Sequence, residues 1–275
     1  MSVENLPSEI DTTTPSVARM YDLYLGGVEN YDVDRQACAE LDRIAPDCAP
    51  LARINRAFLG RVVSTLVEEY GVTQIIDHGS GLPTQNNVHE IAQRINPDVR
   101  VVYVDNDPMV LAHGRTCLDE NDNTAVLSMD MRDTAEIFDF AERKRLFRPG
   151  ERTACLFISV LHCLKDFPDE RGPAAVVRKV VQRLQPGDFL AISHLASGDP
   201  EFRQRVTDLM HKLTQGSWGR VRSRAEIEAY FTGLDVLPPG IVDVRGWRPD
   251  PDQAGQDQQR LAWEEWGGVA QVPEA

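Results

Sequence analysis

From Thr73 onward the chain alternates short apolar runs with longer amphipathic stretches. The runs "TQIIDHG", "RVVYVDND", "TAVLSMD", "TACLFISV" and "DFLAISH" are too short for helices and rich in aliphatic and β-branched residues, so they predict five strands. Between them, "NNVHEIAQRI", "PMVLAHGRTCL", "TAEIFDFAERKRL" and "AAVVRKVVQRL" predict helices, the last stopping at Pro186-Gly187. Strict alternation implies right-handed crossovers and a mostly parallel sheet with helices on both faces, a doubly wound α/β architecture. Further helices are expected near Pro200 to Leu213 and Arg224 to Phe231. Beyond them, "GLDVLPPGIVDV" and "LAWEEWGGVAQV" suit an antiparallel hairpin around the polar loop "RGWRPDPDQAGQDQQR".

Ahead of Thr73 the pattern is helical. One helix is expected after Pro15, ending at Gly26-Gly27, and a second from Asp32 to Ile44. A third is marked by Leu51, Ile54, Phe58, Val62, Leu66 and Tyr70 at spacings of three and four, closed by Gly71. The expected division is a flexible polar segment over 1–14, a helical extension over 15–71 and the α/β domain over 72–275.

Charge narrows the partners. Forty-three Asp and Glu against 29 Lys and Arg give a net charge of −14, a field that repels nucleic acid and anionic membranes. No stretch approaches the roughly 18 apolar residues of a membrane span, and the first residues lack both a basic head and an apolar run. The five cysteines form no CxxC pair and no zinc-like spacing, so reduced thiols, a cytoplasmic location and no metal site are expected.

Ligands of an open doubly wound sheet lie beyond the carboxyl ends of the strands. The first strand runs into "DHGSGLPTQ", where Gly79 and Gly81 let the backbone turn sharply and approach a ligand, with Asp77 just before. A tight βα turn without a ligand would need the same glycines. The second strand ends at Asp105, spaced from Gly81 as a ribose-binding acid would be. Helix capping is its other explanation, a task better suited to Asn106 or Asp107. The third ends near Asp130, whose carboxylate could accept from an adenine amine, with Asp133 the better cap candidate.

Together "DHGSGLPT", "VYVDNDP", "MDMRD", "LFISVLHCL" and "LQPGDFLAISH" resemble the successive motifs of class I S-adenosylmethionine-dependent methyltransferases. Including "PSVARMYDLYLGGVENYDVDRQ" and "PGIVDVRGWRP", the chain from about Pro15 to Val269 resembles an actinobacterial family of S-adenosyl methyltransferases once known only as a domain of unknown function. The resemblance implies a Rossmann-like, mostly parallel seven-stranded sheet with an antiparallel last strand, and S-adenosyl-L-methionine as cofactor, released as S-adenosyl-L-homocysteine. It places Asp77, Gly79 and Gly81 at the methionine and ribose, Asp105 on the ribose hydroxyls, and Asn106 beside the adenine. Asp130 and Met131 would hold the adenine edge, and Ser159 and Val160 would flank the methionine. Where the class commonly has another small residue, this turn continues through Leu82, Pro83 and Thr84, which makes Thr84 a further candidate contact.

Methyl transfer from a sulfonium needs alignment and exclusion of water more than a catalytic triad, and no triad is evident. His162, after the fourth strand, is the candidate base or acceptor-orienting group, unless local hydrogen bonds satisfy it. The segment Arg19, Tyr21, Asp22, Tyr24, Gly26, Gly27, Asn30, Tyr31 is rich in stacking and hydrogen-bonding groups, and is expected to fold over the cofactor, with Tyr21 and Gly26 in contact. An amphipathic helix burying Met20, Leu23 and Tyr24 is the alternative. His194 and Trp218 could border the acceptor, although Trp218, Trp247, Trp263 and Trp266 suit core packing equally. The acceptor is expected to be a small molecule. Two other readings share the motifs: an NAD(P)-dependent oxidoreductase, against which stand the missing third glycine and Asp130, and a non-catalytic module that only binds S-adenosylmethionine.

Overall fold

A computed structural model of the chain describes residues 10–83, 86–117, 121–167, 169–249 and 261–274. Five parallel strands form where the short apolar runs stand: β1 (Gln74–His78), β2 (Arg100–Asp105), β3 (Thr124–Ser128), β4 (Thr153–Ile158) and β5 (Phe189–Ala196). They are linked by α4 (Val88–Ile95), α5 (Pro108–Cys117), α6 (Thr134–Arg143) and α7 (Pro173–Arg183). The expected hairpin is present, but its first limb is split. β6 (Asp235–Val236) and β7 (Val242–Asp243) each pair antiparallel with β8 (Glu264–Gln271). Pro238 and Pro239 between them offer no N–H to a ladder. Counting both fragments gives an eight-stranded sheet in the order β3-β2-β1-β4-β5-β8-β6, with β7 also on β8. The strand order reverses between β1 and β4, which are neighbours, so a crevice opens at their carboxyl ends.

Alternation along each strand supplies two cores. Ile75, Val101, Tyr103, Leu156 and Ala191 pack on α4 and on α3 (Cys48–Glu68), through Phe58, Val62 and Leu66. On the opposite face Ile76, Val102, Phe157 and Ile192 pack on α6 and α7. Trp247 is fully buried edge-on against Phe58, as a core tryptophan. No helix among the described residues is long and apolar enough to cross a membrane.

The helical N-terminus is not independent of this sheet, because α3 belongs to both. Its later turns cover β1, while Cys48 and Leu51 in its first turns join a third cluster with α1 (Val17–Tyr24), α2 (Asp32–Asp42), α8 (Pro200–Leu213), Trp218 and Trp263. A short helix α9 (Arg224–Glu228) then leads toward β6. Met20 is buried in the third cluster and Leu23 and Tyr24 pack against it, so the amphipathic reading of α1 holds. The buried Arg19–Asp34 pair fastens α1 to α2: Asp34 accepts from Arg19 Nε at 2.7 Å and from the Ser16 and Tyr31 backbone amides at 2.9 Å. Arg19 also lies over the Tyr31 ring.

Candidate functional site

The turn after β1 is built for close approach. Gly79 and Gly81 hold φ of +69° and +66°, where a side chain is strained. A Cβ on Gly79 would lie 2.1 Å from Val160 Cγ2 and 3.3 Å from Met131 Cε, so this position must be bare. Gly81 donates its N–H to Asp105 Oδ2 at 2.9 Å, and Asp107 N donates to Oδ1 at 2.9 Å. Five of the expected residues, Gly79, Gly81, Asp105, Met131 and Val160, are therefore neighbours around one turn.

Asp77 is buried within β1, and its carboxyl accepts no hydrogen bond from the described residues. Burial pushes its carboxyl up to about 7, against the pull of Arg56 and with a further push from Asp105. Asp105 is likewise raised, chiefly by burial, and its backbone hydrogen bonds oppose the rise. Asn106 is exposed at the tip of β2. Asp107, one of the two expected caps, takes that role by accepting from Met109 N at 2.8 Å. At β3 the expectation shifts. Burial would raise Asp130, but Arg132 holds it below its ordinary value, through its backbone N and Nε at 2.9 Å and NH2 at 2.5 Å. Asp133 stands at the N-cap of α6 without a side-chain cap bond. Thr84 lies outside the described residues.

Ser159 follows β4 at φ +53°. Its N–H donates to Ser193 Oγ at 2.9 Å, and its hydroxyl donates to Glu265 Oε1. Ser193 donates to Asn55 Oδ1 at 2.6 Å, and Asn55 Nδ2 donates to the Tyr21 hydroxyl at 3.0 Å. This chain ties α1 and α3 to the tips of β4, β5 and β8. Gly26 has another task. At φ +87° it ends α1 in a Schellman arrangement, with Gly26 N on Leu23 O and Gly27 N on Asp22 O, both at 2.9 Å. The Asp22 side chain then clasps the loop, Oδ2 accepting from Glu29 N at 2.9 Å and Asn30 Nδ2 at 3.1 Å. Much of the motif around Gly26 thus serves the loop itself.

Beside Ser159 lies a cavity of about 70 Å³ between α1, α3, α8 and the ends of β4, β5 and β8. Its wall is apolar and aromatic, including Met20, Tyr24, Leu51, Met210, Trp218 and Trp263. Its polar side chains include Tyr21, Ser159, His162 and Glu265. His162 is buried with Nδ1 unpartnered, and burial and then Arg222 push its pKa down to about 3. His194 is committed elsewhere: Nδ1 donates to Leu195 O at 2.8 Å and Nε2 accepts from Arg222 at 3.0 Å. A wider, open cleft of about 460 Å³ between α3 and α4 carries Arg53, Arg56 and Arg94. Among the described residues no group of His, Cys, Asp or Glu is placed to hold a metal ion.

The sequence matches the S-adenosyl methyltransferase family over residues 3–273, nearly its whole length. The chain belongs to that family. Two solved structures extend the likeness to the fold. A DUF574 family protein from Streptomyces avermitilis MA-4680 superposes with a TM-score of 0.85 at 34% identity, covering 96% of this chain and 100% of its own. A methyltransferase candidate from Thermobifida fusca YX gives 0.82 at 34% identity, covering 99% and 100%. No protein of curated function matches. As an S-adenosyl methyltransferase the protein uses S-adenosylmethionine, and the turn fits it: nothing lies within 4 Å of the Cβ position of Gly81, and Asp105 retains unused lone pairs beside it.

Glu265, Ser193 and Asn55 were not among the expected site residues. Glu265 had a signal. Glu265, Gly267 and Val269 share one buried face of β8 by alternation, and an acid in that row is out of place unless it has a task.

Proposed function

We propose that this methyltransferase alkylates a small-molecule acceptor seated in the cavity beside Ser159, with the cofactor laid across the β1, β2 and β4 tips. In this reading the Asp105 carboxylate uses its two remaining acceptor sites for the ribose hydroxyls. Asp77, buried and with no side-chain hydrogen bond among the described residues, suits the ammonium of the methionine moiety. Val160 and Met131, packed on Gly79, form one wall for the adenosine, with Asn106 at the adenine. Ser159 stands at the junction of cofactor cleft and cavity. S-adenosylmethionine supplies, when bound, an electrophilic methyl with a good leaving group, so the protein's share is to align the acceptor and keep water out.

The single observation that carries this is the cavity itself: mostly apolar, with a few polar groups, and reaching Ser159, whose neighbour Val160 packs on the glycine turn. The strongly acidic surface favours a small acceptor over nucleic acid. Tyr21 reaches the same polar chain from α1, which supports a covering role for the helical extension. The thiols of Cys38, Cys48, Cys155 and Cys163 are free, in keeping with a cytoplasmic location. The Streptomyces and Thermobifida relatives accord with an actinobacterial source.

The test is formation of S-adenosylhomocysteine with panels of small phenols and amines, oligonucleotides and peptides, in the wild type and in Leu51→Trp. Turnover with a small molecule, lost when Leu51→Trp fills the cavity, is the expected result. Turnover only with a macromolecule, or turnover indifferent to the filled cavity, would overturn the reading.

A further inference from the structure

Glu265 occupies an expensive position. It is 2% exposed on β8, its Oε1 accepts from Ser159, and its Oε2 is buried with no partner among the described residues although the residue lines the cavity. A buried carboxyl oxygen left bare is destabilising, and a core strand position in line with Gly267 and Val269 could carry an apolar residue instead. Burial, opposed by Ser159 and helped by Asp243, raises its pKa to about 8. His162, which shares the cavity, is displaced the other way. A base so weakly basic takes little proton from a hydroxyl or amine near neutrality, whereas a carboxyl tuned close to working pH is suited to it.

We infer that Glu265 is the acceptor-facing base of this enzyme: an acceptor carrying a hydroxyl or amine on a largely apolar, ring-bearing body places that group on Glu265 Oε2, which takes its proton. The inference rests on the cavity being the acceptor site. In the transfer, a lone pair of the acceptor oxygen or nitrogen forms the new bond to the methyl carbon. The carbon–sulfur bond breaks with its electron pair remaining on sulfur, and the acceptor proton passes to the Glu265 carboxylate and on to solvent. Ser159 positions the carboxyl by donating to Oε1, so that Oε2 is the oxygen presented. His162, neutral, orients the acceptor. The ring-bearing body follows from the wall, where Tyr24, Trp218 and Trp263 offer faces and edges for stacking. At about 70 Å³ the cavity is smaller than the roughly 150 Å³ that holds benzene, so a ring enters as the flexible Met20 and Met210 side chains repack.

The experiment is infrared titration of the full chain saturated with S-adenosylhomocysteine, using phenol as the probe. The difference between wild type and Glu265→Gln should contain a protonated-carboxyl band that persists at pH 7 and disappears around pH 8, and His162→Gln should retain that band. Phenol should shift the band, and Met210→Trp should abolish the shift. Glu265→Gln should change the dissociation constant for S-adenosylhomocysteine by less than about twofold, because the residue acts on the acceptor side. A band absent from the difference spectrum, or one that phenol leaves unmoved while S-adenosylhomocysteine still binds, would overturn the inference. Failure of the wild type to bind S-adenosylhomocysteine at all would instead overturn the cofactor-cleft reading beneath it.

Discussion

At the scale of single residues, the energetics are dominated by buried groups held in the form that water disfavours. Glu265 has its pKa raised in the fold to about 8 from an ordinary 4.5, so its ionised form is the costly one. The sign follows directly: the stability associated with its protonated form is complete below pH 4.5 and is lost as pH rises through about 8. Glu265→Gln keeps an acceptor for the Ser159 hydroxyl and cannot ionise. It should therefore be more stable than the wild type at pH 8, by on the order of 4 kcal/mol at about 1.36 kcal/mol per unit, while matching it near pH 4.5. Urea denaturation at both pH values reads this. For any acceptor turned over, the rise of kcat/KM through pH 8 should vanish in the same variant. His78 has the opposite sense. It stacks on Phe157 at 4.3 Å, its Nε2 has no partner, and burial lowers its pKa to about 4 from 6.5. A depressed histidine contributes stability that is complete above pH 6.5 and lost as pH falls toward 4. His78→Phe should gain about 2 kcal/mol on the wild type at pH 5 by this effect, and above pH 6.5 only the difference in packing and the lost Nδ1 hydrogen bond to Leu156 O at 3.3 Å should remain.

At the scale of elements, the strands and helices were legible because each is short, periodic and punctuated by glycine, proline or a cap. Asp199 illustrates this, accepting from the Glu201 and Phe202 amides at the start of α8. The turn after β1 was legible as a turn but not in its inequality. Gly79 faces Val160 at clashing distance, whereas a Cβ at Gly81 meets nothing within 4 Å. Gly81→Ala should thus cost only the left-handed backbone penalty, about 1 to 2 kcal/mol, and weaken S-adenosylhomocysteine binding modestly. Gly79→Ala should displace Val160 and remove detectable binding. Denaturation and calorimetric titration of the two variants separate them. The division of α3 between two cores was hidden, because its apolar positions recur at one helical period whichever neighbour they meet. The split of the β6–β7 limb was also hidden, since "LPPG" marks a break without saying what pairs on either side. Asp130 was read as an open acceptor, because nothing in "MDMRD" reveals that Arg132 folds back onto it.

At the scale of the whole molecule, two surfaces meet at the carboxyl edge of the sheet. One is the glycine turn with Asp105 and Asp77. The other is the helical cluster of α1, α2 and α8 over β4, β5 and β8, joined to the first by the hydrogen-bonded chain from Tyr21 to Glu265. The first surface was readable from strand order and motif spacing. The second was not, because Asn55 and Ser193 lie 138 residues apart, Ser159 and Glu265 106, and they meet only through the fold. The account as a whole requires an adenosine-bearing cofactor whose ribose hydroxyls sit on Asp105. Calorimetric titration of the wild type and of Asp105→Ala with S-adenosylhomocysteine, with NAD as the control ligand, tests this most directly. The predicted result is one S-adenosylhomocysteine bound per chain, no heat from NAD, and at least a tenfold loss of affinity in Asp105→Ala. Binding of NAD in place of S-adenosylhomocysteine, or an Asp105→Ala variant that binds as tightly as the wild type, would contradict it.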